Sequence, residues 1–422
     1  MADSRSLQRQ GRVAFTYRDF TLYQFARLFT VMATEMQSVA VGWQVYEITQ
    51  RPLDLGYVGL VQFLPTLLLF LVAGHAADRF NRRNIVTLCY AGLGLASTIL
   101  FALTLSGSRS VHAIYGALVL VGIVRSFNGA AGQAMVPQLV PEEHFPNAVA
   151  WAQTVFNTAV IIGPALGGLI YAVFRGPLAV YWSSMIAAAV SVVAVSRIRL
   201  NPAKRDHEPV TLSTIFAGFR FIWEKKLILG LISLDLFAVL LGGAVALLPV
   251  YAREILHIGP WGLGILRSAP AVGAVAMAVS LAHRPLRRHA GVTMLWCVAG
   301  FGVFTIVFGL SRNLVVSLVA LLLVGASDMV SVIIRGTLVQ LSTPDEMRGR
   351  VSAVNSLFIG TSNEFGQFES GLTAHWFGTV PAVLIGGVGT LAVVALWSWL
   401  FPELRGADTL TGQPITIAQE LP

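Results

Sequence analysis

Twelve stretches of mostly apolar residues run through this chain, each near the ~20 residues that cross a hydrocarbon core ~30 Å thick. They centre on residues 22–47, 56–78, 84–105, 112–134, 147–173, 178–197, 227–251, 261–282, 291–311, 313–336, 351–376 and 380–401. The first, tenth and eleventh carry the most polar groups. In lipid every backbone amide must be paired within its own segment, so such stretches are helices. With 55% hydrophobic and only 12% charged residues, the composition lies far from that of a soluble globular domain. The expected fold class is an all-α integral membrane protein, with twelve transmembrane helices in two pseudo-symmetric six-helix bundles.

The two bundles follow from an internal repeat. Gly74-x-x-x-Asp78-Arg79-x-x-Arg82-Arg83, after the second span, recurs in eroded form as His283-Arg284-x-x-Arg287-Arg288, after the eighth. Gly59 and Pro65 find Gly264 and Pro270 at the same offset of 205. A second pair of segments matches at an offset of 203: Leu120-Val121-Gly122 with Leu323-Val324-Gly325, and Pro141-Glu142-Glu143 with Pro344-Asp345-Glu346. In the second copy, Thr343-Pro344-Asp345-Glu346 is expected to supply an N-cap, a first-position proline and an acidic first turn to span eleven. Two inverted or parallel repeats around a central axis are the layout of a secondary transporter.

The domain reading is an N-terminal tail over 1–19, a six-helix half over 20–197, a central loop over 198–226, a second half over 227–401 and a C-terminal tail over 402–422. Most of the 29 Lys and Arg residues fall in the two tails, the central loop and the loops after spans two, eight and ten. The positive-inside rule then places both termini in the cytoplasm, and with lipid attraction it accounts for the net charge of +8 without a nucleic-acid partner. No cleavable signal peptide is expected, which leaves span one as the insertion signal. Cys89 and Cys297 sit in apolar helices of different halves and are expected to be core residues, unpaired. Within the central loop, Ile215, Phe219, Ile222 and Trp223 recur at helical spacing opposite Ser213, Arg220, Glu224 and Lys225. That pattern fits either an amphipathic helix on the cytoplasmic face or a plain linker.

Enzymatic chemistry finds little support. The only lysines are Lys204, Lys225 and Lys226, and none follows the glycine spacing of a phosphate loop. Gly92-Leu93-Gly94 and Gly386-Gly387-x-Gly389 are fragments of a dinucleotide pattern, yet they lie in apolar helices with no strand before them. No metal-ligand spacing or strand-flanked nucleophile occurs. The expectation is a transporter without a metal or cofactor.

With its twelve spans, long central loop and basic motif after span two, the chain resembles the major facilitator superfamily over essentially its whole length. Within it, the chain is similar to bacterial exporters of drugs and siderophores, including the enterobactin exporter group. Span four holds Arg125-x-x-Asn128-Gly129, similar to an Arg-x-x-Gln-Gly signature of proton-driven antiporters, with Asn in place of Gln. Span five holds Gly163-Pro164-x-x-Gly167-Gly168, the core of the antiporter motif, with Ala150 and Ala159 at the positions of its upstream glycines. The resemblance implies that Gly74, Asp78, Arg79, Arg82 and Arg83 form a cytoplasmic conformational latch between the halves; Asn81 departs from the glycine common in that loop. It also implies that spans one, four, seven and ten line a central cavity.

Those four spans carry the costliest residues in the sequence. Glu35 lies in span one, Arg125 in four, Asp235 in seven and Asp328 in ten; each is worth a few kcal/mol or more (~2.5 at least) at the bilayer centre unless paired or solvated. Arg125 and Asp328 are equivalent in the repeat, so opposite charges occupy pseudo-symmetric sites. Proton coupling is assigned to Glu35 first, then to Asp235 and Asp328, with Arg125 as the neighbouring positive pole. Glu364 and Glu369, five apart, fall on different faces of the polar span eleven, so at most one faces the cavity. Arg27 and Arg335 are expected to snorkel from helix ends. Candidates for the substrate cavity are Phe29, Asn128, Phe237, Asn363 and Glu364, with Phe25, Trp43 and Phe127 as further aromatics.

The expected function is export of a small organic compound by proton antiport, across a bacterial cytoplasmic membrane, with rocking of the two halves. Its partners would be the substrate, protons and membrane lipids, and the chain is expected to act as a monomer. Proton-coupled import of a nutrient and transport of a lipid or lysolipid remain open alternatives.

Overall fold

The computed structural model describes residues 13–199, 212–284 and 289–407. Thirteen long helices carry the fold: α1 Arg18–Thr49, α2 Pro52–Arg79, α3 Arg82–Leu105, α4 Val111–Met135, α5 Phe145–Val173, α6 Leu178–Ser196, α7 Leu212–Glu224, α8 Lys226–Gly242, α9 Gly259–His283, α10 Ala290–Leu310, α11 Leu314–Leu341, α12 Asp345–Phe377 and α13 Thr379–Leu400. No strand occurs among the described residues. Ten helical segments are long and apolar enough to cross a membrane. The remaining two expected spans, α1 and α12, are 32 and 33 residues long and differ only in their polar content.

Local chemistry sets several boundaries. Asn81 accepts a hydrogen bond from the Arg83 amide at 3.0 Å and caps α3. The residue that departs from the family's glycine is therefore a helix-starting side chain. Asn313 does the same for α11, accepting from the amides of Val315 and Val316 at 2.8 and 3.3 Å. The start of α12 differs from expectation. Its N-cap is Pro344, without a side-chain bond, and the Thr343 hydroxyl instead donates back to the Val339 carbonyl at 2.6 Å. A hydroxyl with a free carbonyl one turn behind it closes the preceding helix rather than opening the next.

The chain divides into two compact units. One comprises Met1–Ile48, Val61–Val210 and Pro260–Gly264; the other comprises Thr49–Leu60, Thr211–Gly259 and Ile265–Pro422. Each unit thus takes in a short strip from the other half of the sequence, the first turns of α2 in one case and of α9 in the other. In the second unit, Gly56 lies against Phe368 and Gly371 of α12, with the Gly56 and Gly371 backbones so close that a side chain on either would collide.

The duplicated glycines do the same work in both units. A Cβ on Gly122 would strike the Gln62 carbonyl, and one on Gly325 would strike the Pro270 carbonyl. Gly122 and Gly325 therefore mark equivalent crossings, α4 on α2 and α11 on α9. Small residues at such crossings let helix backbones approach in a medium where no hydrophobic drive operates between helices.

The central-loop helix is present as α7. Ile222 is buried in the second unit's core, while Phe219 stacks between Trp223 and Phe358, with ring centroids 6.2 and 6.3 Å away. Arg220 pairs with Glu224 on the polar side at 2.9 Å. The charged run Lys204 to Glu208, Arg287 and Arg288 of the second basic motif, and both tail ends lie outside the described residues.

Candidate functional site

In the first unit, α1 is tied along its length by neutral hydrogen bonds. Tyr181 donates to Gln44 at 2.6 Å, Gln44 donates to Thr104 at 3.0 Å, and Ser97 donates to Gln37 at 2.7 Å. Ser184 and Ser191 of α6 donate to the Ala33 and Ala26 carbonyls of α1. These bonds fix the rotation of α1 and with it the direction of Glu35. Gly163 is where α5 meets that residue: a Cβ there would lie 2.7 Å from the Glu35 Cβ and 3.1 Å from the Met32 carbonyl. One turn on, a Cβ on Gly167 would lie 2.7 Å from the Met36 Cα. The motif glycines thus let α5 lie directly on α1 at Glu35, with Pro164 inside the continuous α5, and Gly168 faces the strip Pro260–Gly264.

Two arginines of the basic motif are bonded within the same unit. Arg82 donates to the Ala77 and Ala134 carbonyls, at 3.3 and 2.8 Å, and Arg83 donates to the Ile198 carbonyl at 3.0 Å. These guanidinium groups join the end of α2 and the start of α3 to the ends of α4 and α6. Asp78 is partly exposed, Arg79 is exposed, and nothing crowds Gly74. Arg125 is exposed on α4, and Asn128, three residues on, buries its Oδ1.

In the second unit, the seventh expected span is not one continuous helix. α8 ends at Gly242, Gly243 leaves helical geometry at φ −73° and ψ 75°, and the chain continues as the 3₁₀ turn Ala244–Leu247, a helical turn Leu248–Val250 and the π-helical turn Tyr251–Ile255. Two successive glycines are poor helix formers, at about 1 kcal/mol each relative to Ala, and a break in a span requires its freed groups to be satisfied by neighbours. Ser370 of α12 does so, donating to the Gly243 carbonyl at 2.7 Å.

Beside this break lies a cavity of about 210 Å³ within the second unit. Asp235 of α8, Pro270 of α9, Thr305 of α10, Asp328 and Arg335 of α11, and Asn363 of α12 help to line it. Three sequence-derived candidates therefore meet here: Asp235, Asp328 and Asn363. Arg335 corrects the snorkelling expectation. It is 3% exposed and forms an ion pair with Asp235, itself 8% exposed. A guanidinium two turns inside a helix end reaches a buried carboxylate on the adjacent helix, and pairing replaces the solvation it would otherwise seek at the interface. Arg27 is held likewise, donating to the Ala152 carbonyl at 3.2 Å and lying 5.4 Å over the Phe156 ring.

The other candidates lie apart from this cavity. Phe237 packs on Trp397, with centroids 5.2 Å apart. Glu364 accepts from Gln367 at 3.4 Å, and Glu369 accepts from Thr373 at 2.6 Å. In the first unit, Phe29 packs on Phe25 at 4.6 Å, Trp43 on Tyr171 at 6.3 Å, and Phe127 is half-buried. Both cysteines are free. No group of three or more His, Cys, Asp or Glu placed to hold a metal occurs among the described residues. The residues that sequence reasoning missed are Arg335 as a pairing group and the glycine pair 242–243, whose doubling in mid-span was the available signal.

Comparison with known proteins agrees with this architecture. A family model described as transmembrane secretion effector matches residues 14–416. The enterobactin exporter EntS of Citrobacter koseri is 26% identical over 396 residues, covering 92% of this chain and 93% of that protein. The multidrug efflux pump Tap of Mycobacterium bovis is 29% identical over 353 residues, covering 79% and 81%. Among solved structures, a bacterial homologue of the human lysosomal transporter Spinster superposes with a TM-score of 0.72 at 14% identity, covering 92% of this chain and 98% of that one. A bacterial homologue of the iron transporter ferroportin gives 0.69 at 18% identity, with coverage of 92% and 98%. At such identities these two structures speak for the fold.

Proposed function

The chain belongs to the transmembrane secretion effector family of the major facilitator superfamily, and from that premise we propose that it exports a small organic compound, drug-like or siderophore-like, in exchange for protons. The observation that carries the proton half of this reading is Glu35 at the α1–α5 crossing, where Gly163 and Gly167 bring the backbones together. A carboxylate at a helix crossing inside the membrane is costly unless it is paired, solvated or protonated, so its presence points to a function, and its protonation changes the charge at a contact that must loosen or tighten as access alternates. Asp328, Asp235 and Arg125 are assigned supporting roles in the same coupling, and Asp78, Arg79, Arg82 and Arg83 the role of a conformational latch.

Export is favoured by the activities of its relatives, an enterobactin exporter and a multidrug efflux pump. We place the protein in the bacterial cytoplasmic membrane with both termini inside, acting as a monomer without a cofactor, by rocking of its halves. The test is proton flux in proteoliposomes loaded with a pH-sensitive dye, against a panel of drugs, siderophores, sugars and amino acids. Substrate-dependent proton movement opposite to substrate movement, falling to background in Glu35→Gln, is the expected result. Co-directional movement makes the protein an importer, and undiminished flux in the variant removes Glu35 from the proton path.

A further inference from the structure

The cavity in the second unit has an unequal inventory of charge. Asp235 and Arg335 neutralise one another. Asp328, on the same wall, has no ion-pair or hydrogen-bond partner among the described residues, although it faces a cavity inside a bundle of apolar helices. Two carboxylates and one guanidinium leave one formal negative charge without a counter-ion. Among the described residues no further ionisable side chain lines the cavity: α9 contributes Pro270, α10 contributes Phe301, Thr305 and Phe308, and α12 contributes Ile359 and Asn363.

The rest of the lining decides what kind of cation would answer that charge. An inorganic cation asks for several oxygen ligands at once. Besides Asp328, the neutral oxygens on the lining are few and set on separate elements: the Thr305 hydroxyl, which donates to the Phe301 carbonyl at 2.8 Å, the Asn363 amide, which donates to the Ile359 carbonyl at 2.8 Å, and the Gly243 carbonyl, which accepts from Ser370. The remaining walls are largely apolar and include Phe301 and Phe308, aromatic residues of the type that attract organic ammonium groups. At about 210 Å³ the space falls below the ~300–1,000 Å³ of sites that enclose a drug-sized ligand. It suits a head group rather than a whole large molecule.

We infer that this cavity binds the ammonium head group of a small organic cation, with Asp328 as its counter-ion. The Asp235–Arg335 pair occupies the second carboxylate and keeps it from competing for that cation. The inference rests on the transport reading for the word substrate, which it narrows to a cationic class; the binding itself needs no gradient and no turnover.

The experiment is titration calorimetry on the purified full-length protein in lipid nanodiscs, with 2-phenylethylammonium as probe and the neutral 2-phenylethanol as its match in size. Wild type is expected to bind the ammonium at least about tenfold more tightly than the alcohol, the margin of one charge-assisted contact. Asp328→Asn abolishes that preference, and Ile359→Trp, which fills the cavity without altering charge, abolishes binding of both. Equal affinity for the two probes in wild type overturns the inference without recourse to any variant, as does an undiminished ammonium preference in a folded Asp328→Asn protein. Proton-coupled export without ammonium preference sinks this site and leaves the transport reading standing. Ammonium preference without proton-coupled export supports the site and sinks that reading.

Discussion

The two units share a scaffold and differ in how they treat polarity. Gly122 and Gly325 seat equivalent helix crossings against carbonyls of Gln62 and Pro270, so the packing has survived duplication. The helices that begin each half have diverged. α1 is unbroken and held by neutral hydrogen bonds to α3 and α6, whereas α8 stops at Gly242 beside a charged cavity. Arg125 and Asp328, equivalent in sequence, carry opposite charges. The backbone contacts of such a repeat are constrained by close packing on every side, while the polar groups that a cavity hydrates or a ligand pairs are free to change sign.

That contrast can be broken most severely at the buried ion pair. Arg335→Ala leaves Asp235 charged and alone in the interior and is expected to cost about 3–5 kcal/mol. Thermal unfolding of the detergent-solubilised protein reads the loss, and adding Asp235→Asn should recover a large part of it. If the double variant is no more stable than Arg335→Ala, the pair is not what holds α8 to α11. Next come the matched crossings. Gly122→Val and Gly325→Val each force a side chain into a neighbouring backbone, at a cost of roughly 1–3 kcal/mol. The two should be similar, and a marked difference in their unfolding temperatures would mean that the duplication no longer serves the two units alike. The smallest effect belongs to the neutral network. Tyr181→Phe removes one hydrogen bond to Gln44 and should lower stability by about 1 kcal/mol, well below the charged pair; a loss as large as that of Arg335→Ala would show that neutral ties bear as much in the first unit as charge does in the second.

The fold was legible because hydropathy and length act on whole segments. Eleven of the twelve expected spans appear as helices whose ends shift by a few residues, as at 112–134 against Val111–Met135. The break at Gly243 was not, because apolar residues continue through it and hydropathy is blind to backbone geometry. Arg335 was misplaced for a related reason. Position along a helix can be counted from sequence, but the direction in which a side chain points depends on the neighbouring helix, here the one bearing Asp235. Thr343 shows the same limit at short range, since its hydroxyl had two carbonyl neighbourhoods to choose between and took the earlier. Asp235, Asp328 and Asn363 were legible as candidates because polar residues in apolar spans stand out; that they share one cavity was not.

The interruption of α8 also has an electrical side. Peptide dipoles aligned along a helix sum to about half an elementary negative charge at its carboxyl end. In an unbroken span that end lies in the headgroup region, where water and ions screen it. Here Gly242, the last residue of α8, is itself part of the cavity lining. The backbone therefore delivers negative potential to the cavity wall with no side chain involved, and substitution of every carboxylate around it would leave that contribution in place.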